Sequence, residues 1–252
     1  MVKIAIQGIN GRMGQALCRL IAQRSDCTVV AGIDLNAQPD AVPPVYASLD
    51  EMPCVPDVLI DFSSPAATAK AVGYCAEHTL PVVVCTTGLD PETEQALQRL
   101  AGTTAVFKSA NMSMGINLLA ELARKAVQTL GLAYDIEVIE KHHHNKVDAP
   151  SGTALMLAEE MNEASGHMYE YVYDRHAVRK ARDVHEMGLH AVRGGSIVGE
   201  HEILFCGPDE VITLSHSAAS REVFANGAVN AAVFLAGKGP GFYSMKDMMR
   251  HE

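Results

Sequence analysis

Between Glu140 and Ala154 the chain reads EKHHHNKVDAPSGTA, which sets a carboxylate, three consecutive histidines and two lysines ahead of Asp-Ala-Pro-Ser-Gly-Thr. Side chains of these types can ligate a metal, can be solvated in a loop, or can pass protons. Successive side chains on an extended segment point to opposite sides. His142, His143 and His144 therefore cannot converge on one ion without a sharp turn, and no H-x-x-x-H or C-x-x-C accompanies them. No metal site is expected. A solvated loop stays open as a reading, since loops collect polar residues. Acid–base chemistry is the third. A histidine titrates near neutrality, and His142 and Lys146 are spaced so that a turn brings both to one pocket. Asp148-Ala149-Pro150 cannot continue as helix, and Ser151-Gly152-Thr153 then opens one. The backbone N–H groups of Gly152 and Thr153, with the threonine hydroxyl, suit a carboxylate.

A second cluster lies at the start. Gly8, Gly11 and Gly14 form G-x-x-G-x-x-G directly after a strand-like run and before a helical one. Glycines there let a phosphate approach bare backbone and the positive end of the following helix. Asn10 stands where the common dinucleotide fingerprint has a glycine. Asp34 lies 20 residues beyond Gly14, where an acid accepts hydrogen bonds from the ribose hydroxyls of an adenosine. Leu35 and Asn36 follow, with no arginine. A 2′-phosphate would then meet a carboxylate and no cation nearby in sequence, which favours NADH over NADPH, although Arg12 in the turn can still reach a phosphate.

The elements that must carry these residues can be read along the chain. Strand and helix patterns alternate over roughly the first 110 residues, with LPVVVCTT as the run most typical of a buried parallel strand. This predicts an α/β fold, a Rossmann-like doubly wound parallel sheet. CTTG (Cys85 to Gly88) and SANMS (Ser109 to Ser113) end later strands, where such a sheet binds its ligand. The pattern then changes. A long helix over Gly115 to Thr129, a strand over Tyr134 to His144, a helix from Ser151, a polar irregular stretch over Gly166 to Asp183 and a hairpin across Gly207 to Glu210 predict a second, α+β substrate domain with a mixed or antiparallel sheet. The last thirty residues read as helix, Gly/Pro loop and short helix.

Composition excludes several classes. Of 252 residues, 48% are hydrophobic and 20% charged, as in ordinary globular proteins. Thirty acids against 20 bases give a net charge of −10, which argues against nucleic acid as partner. No apolar run is long enough to span a bilayer, and MVKIAIQGING lacks the regions of a signal peptide, so a cytoplasmic location is expected. The six cysteines form no C-x-x-C and read as reduced thiols.

The segment EKHHHNKVDAPSGTA resembles the signature of the 4-hydroxy-tetrahydrodipicolinate reductases (dihydrodipicolinate reductases) at every fixed position. The resemblance extends over the chain through GRMG, IDFSSP, TTG, VGEH and FANGA. It implies reduction of a cyclic, dicarboxylated imine by hydride from NAD(P)H, in the diaminopimelate route to lysine. It assigns His142 and Lys146 to proton transfer, and His143, Lys146, Gly152 and Thr153 to the small dicarboxylate substrate. It assigns Gly8, Ile9, Asn10, Gly11, Arg12, Met13, Asp34, Cys85, Thr86, Thr87, Ser109, Ala110, Asn111 and Met112 to the cofactor, and it implies a homotetramer assembled through the substrate-domain sheet, with 223–252 rejoining 1–113 in the dinucleotide-binding domain and 114–222 as the second domain. Cys85, Met112 and Leu35 replace residues common in the family. An aspartate-type dehydrogenase and a non-catalytic NADH-binding redox sensor are the rival readings.

Overall fold

The structure, a computed structural model, describes residues 1–250. In chain order it runs β1 (Val2–Gln7), α1 (Arg12–Ile21), β2 (Cys27–Ile33), β3 (Val45–Tyr46), β4 (Val58–Asp61), α2 (Pro65–His78), β5 (Val82–Val84), α3 (Pro91–Leu100) and β6 (Ala105–Lys108). Then come α4 (Met114–Leu130), β7 (Asp135–His142), α5 (Gly152–Ala164), β8 (Glu170–Val172), β9 (Glu186–Arg193), β10 (Glu200–Cys206) and β11 (Val211–Ser217). The chain closes with α6 (Glu222–Leu235), β12 (Gly241–Tyr243) and α7 (Met245–Met249). Two compact units result: Met1–Ser113 with the stretch from Glu222 onward, and Met114–Arg221. Among the described residues no helix is long and apolar enough to cross a membrane.

The first unit is a seven-stranded parallel sheet in the order β12-β6-β5-β4-β1-β2-β3. Its central strands are mostly apolar because helices cover both faces, and Ile4, Ile6, Leu59, Ile60 and Phe107 are fully buried. Each such side chain contributes roughly 1.5–3 kcal/mol by leaving water. Helix starts are set locally. Ser64 accepts from the Ala67 N–H at 3.4 Å, Asp90 from the Thr93 N–H at 2.7 Å, and Pro65 and Pro91 follow these caps directly. Two strands differ from expectation. The C-terminal Gly/Pro stretch contains β12, which pairs with β6 at the sheet edge, and the run after Asp34 contains β3. Both are only two or three residues long and lie at edges, where glycine and proline are tolerated.

The second unit is a five-stranded mixed sheet, β11-β10-β7-β9-β8. β7 pairs parallel with β9 and antiparallel with β10, and β10 turns into β11 through Gly207–Glu210. α4 and α5 pack with the sheet's inward residues into one core of Ile136, Val138, Leu157, Met161, Ile203 and Phe205. The stretch expected to be irregular carries β8, paired with β9. β7 ends at His142 rather than at His144, because His144 and Asn145 form a turn.

Candidate active site

The glycine turn is shaped by backbone contact. Gly8 ends β1 with φ +81°, and a Cβ on it would lie 2.4 Å from the Phe62 carbonyl oxygen. A Cβ on Gly14, in the first turn of α1, would lie 2.4 Å from the carbonyl oxygens of both Gly8 and Ile9. Only glycine lets α1 sit this close to the turn. Gly11 is the residue before α1 and offers no side-chain cap, so the first helical N–H groups are left for an anion. Asn10, Gly11 and Arg12 are exposed and Met13 is half-buried, whereas the Ile9 side chain is buried against Gly32. The Asn10 N–H donates to the Asp34 carboxylate at 3.3 Å, tying the turn to the end of β2.

A cavity of about 510 Å³ opens beside this turn. Gly8, Asp34 and Leu35 line it from the strand ends, and Ser64, Ala67 and Lys70 from one face of α2. That volume lies within the range of small-molecule sites, roughly 300–1,000 Å³. Lys70 is exposed and has no ion-pair partner among the described residues. The sequence around Asp34 shows no local cation; the fold supplies one from a helix more than thirty residues downstream.

The later strand ends are held by a buried carboxylate that sequence reading missed. Asp61, fully buried at the end of β4, accepts from the hydroxyls of Ser63 at 2.5 Å, Thr68 at 2.5 Å and Thr86 at 3.2 Å. Burial raises its pKa against the opposing effect of these donors. Thr86 is thus committed to the scaffold, while Thr87 is exposed. Burial, and after it the charge of Asp61, pushes the Cys85 thiol well above its ordinary value, so Cys85 is a neutral apolar group. Ser109 donates to the Asn111 carbonyl at 3.0 Å, Asn111 accepts from the Ser113 N–H at 2.8 Å, and Ala110 is exposed. Met112 is buried, and its carbonyl lies where a Cβ on Gly227 would be, so α6 rests directly on this loop.

In the second unit β7 alternates outward and inward, and Glu140 and His142 fall on the inward face with Ile136 and Val138. His142 Nδ1 lies 2.6 Å from Glu140 Oε2. Arg193, opposite His142 on β9, clamps the same carboxylate through two hydrogen bonds of 2.7 Å. The Ser151 N–H donates to Glu140 Oε1 at 2.9 Å. Burial would raise the Glu140 pKa, but the bonds from Arg193, His142 and Ser151 outweigh it and hold the carboxyl below its ordinary value. His201 on β10 stacks edge-on against His142 at 5.3 Å and meets Ser151 Oγ at 3.1 Å. Burial first, then His142, lowers the His201 pKa to about 4, so His201 is neutral at physiological pH.

The other predicted residues lie on the following loop and helix. His143 is half-buried, and its Nδ1 is buried without a hydrogen-bond partner among the described residues. His144 is exposed. The three histidines therefore diverge, and among the described residues no group of His, Cys, Asp and Glu is arranged to hold a metal ion. Lys146 Nζ pairs with the Asp148 carboxylate at 2.8 Å. That carboxyl is held below its ordinary value chiefly by Lys146 and, more weakly, by the Gly152 N–H. Gly152 has open space around it, Thr153 is half-buried, and Ser151 caps α5 by accepting from the Ala154 N–H at 3.1 Å. Lys146 and the start of α5 thus already grip a carboxylate. Glu140, Arg193 and His201 were missed in the sequence; the inward alternation of DIEVIEKH was the signal for Glu140.

Comparisons with known proteins agree over the whole length. The family model described as dihydrodipicolinate reductase, N-terminus, matches residues 2–112, and its C-terminal counterpart matches residues 115–249. A 4-hydroxy-tetrahydrodipicolinate reductase of Caldanaerobacter subterraneus subsp. tengcongensis is 46% identical over 250 residues, covering 99% of each chain. Among solved structures, a dipicolinate-bound dihydrodipicolinate reductase from Paenisporosarcina sp. TG-14 shares the fold at 24% identity and a TM-score of 0.77, over 97% of each chain. An aspartate dehydrogenase from Thermotoga maritima shares it more distantly, at 12% identity and a TM-score of 0.51, over 94% of this chain and 98% of its own. With both halves matched and a relative this similar from end to end, the chain belongs to the dihydrodipicolinate reductase family.

Proposed function

We propose that this protein reduces 4-hydroxy-tetrahydrodipicolinate to tetrahydrodipicolinate with NAD(P)H, in the diaminopimelate route of lysine biosynthesis in the cytoplasm. The observation that carries the reading is the pairing, within one segment, of a carboxylate-anchored histidine with a lysine and a helix start that hold a carboxylate. The turn from Gly8 to Met13, with Asp34, suits the dinucleotide, because its glycines leave backbone N–H groups bare beside the cavity. When bound, the dinucleotide supplies the hydride.

The chain's own residues do the rest. Lys146 and the N–H groups of Gly152 and Thr153 bind a substrate carboxylate in the place Asp148 takes here. His143, half-buried on the same loop, is a further contact for the substrate's polar groups. His142 donates from Nδ1 to Glu140 and keeps Nε2 to hold a proton for the reduced centre; Lys146 is the second proton source. The aspartate-type dehydrogenase reading is not favoured, since that likeness is one of fold alone. NADH is the better cofactor, because Asp34 repels a 2′-phosphate; Lys70 accounts for residual use of NADPH. The assembly is a homotetramer.

His142→Gln and Lys146→Met test the assignment. Each lowers turnover at least about a hundredfold, in line with the usual contribution of a positioned acid. Near wild-type kcat in both variants sinks it.

A further inference from the structure

We propose that Glu140 is the positioning residue of this site: it sets the tautomer of His142 and at the same time fixes the start of α5. The inference rests on the proposed role of His142 as a proton donor and adds a residue to it.

A carboxylate has two oxygens with room for about four donors and none to give. Here all four places are filled: Oε2 by His142 Nδ1 at 2.6 Å and Arg193 Nη1 at 2.7 Å, Oε1 by Arg193 Nη2 at 2.7 Å and the Ser151 N–H at 2.9 Å. An ionised acceptor with no proton of its own forces His142 to carry its proton on Nδ1. Nε2 is then the nitrogen that exchanges a proton with substrate. It faces Gly199, where a Cβ would stand 3.1 Å away, so glycine keeps that nitrogen uncrowded. The Glu140 side chain is only 1% exposed, so it acts through His142 and Ser151 and not on substrate itself.

The same carboxylate joins the two halves of the site. Ser151 donates its N–H to Glu140, and its hydroxyl oxygen accepts from the Ala154 N–H. The N–H groups of Gly152 and Thr153 are therefore set by Glu140 as firmly as the imidazole is. Arg193 adds a bond to the Asp148 carbonyl at 2.6 Å, anchoring the loop that carries Lys146.

Charge gives a readout that a scaffolding role alone does not move. His142 is faced by Glu140 on its own strand, Arg193 from β9 and His201 from β10, with His216 beyond His201 on β11 and Lys146 and Asp148 on the following loop. Glu140 and Asp148 are the anions of this group. Removing the Glu140 charge leaves Arg193 uncompensated beside the imidazole, which disfavours the imidazolium.

The test compares wild type with Glu140→Gln. In the NADH-oxidation assay kcat falls at least about tenfold, and the alkaline limb of the kcat/KM profile moves to lower pH by about one unit or more. NADH affinity, measured by fluorescence titration, is unchanged. A limb that stays in place, or a kcat within twofold of wild type, overturns the proposal. Nitrogen-15 NMR of the wild-type histidines decides independently of turnover and of how the variant folds. His142 protonated at Nδ1 supports the role of Glu140, and His142 protonated only at Nε2 overturns it. A wild type without dipicolinate reductase activity counts against the proposed function, while the NMR result still decides the positioning.

Discussion

Asp34 and Lys70 face one cavity with opposite charges, and their balance sets the expected choice of dinucleotide. Asp34 serves ribose hydroxyls and opposes a 2′-phosphate. Lys70 sits among Ala66, Ala67 and Tyr74 on the face of α2 that lines the cavity, with no competing acid bonded to it among the described residues. Lys70→Met is therefore expected to raise the KM for NADPH about tenfold, the worth of roughly one charge-assisted bond, and to leave the KM for NADH within about twofold. Initial rates at varied cofactor check this; equal changes for both cofactors, or none, contradict it. Lys70 shows what a linear reading loses. No local pattern links a lysine in TAKAV to an aspartate in GIDLN. Glu140 was more accessible, because period-2 alternation places it on the face of His142.

At the scale of elements, the turn between β1 and α1 depends on one close approach. A methyl group at Gly14 meets two backbone oxygens at 2.4 Å, and neither can rotate away. Gly14→Ala must push α1 off the turn, at an expected loss of about 1–3 kcal/mol in urea unfolding and with a raised KM for NADH. Wild-type stability with an unchanged KM contradicts the account of the turn. The same turn shows why so much of this fold is readable. Strand, glycines and helix are local, and each is fixed by propensity and sterics within about twenty residues. The strands β3, β8 and β12 were not readable because each is two or three residues long and exists through pairing with a distant neighbour: β2, β9 and β6. The end of β7 at His142 likewise depends on a turn whose polar residues also suit an extended strand.

For the whole molecule, a net charge of −10 coexists with local cations at each site: Lys70 in the first unit, Lys146 and Arg193 in the second. Overall charge thus limits partners without deciding the ligand. The second unit exposes Val192, Val211 and Ile212 on its sheet, in keeping with the homotetramer proposed above. Light scattering is expected to return a mass about four times the 27.0 kDa of one chain, and a monomer at micromolar concentration counts against it. The central claim is the reaction itself. It is tested most directly by following NADH and NADPH oxidation at 340 nm (the absorbance of the reduced nicotinamide) by the purified protein with freshly generated 4-hydroxy-tetrahydrodipicolinate. The account predicts multiple turnovers that require this substrate, with kcat/KM higher for NADH. Tight NADH binding without substrate-dependent oxidation would contradict it.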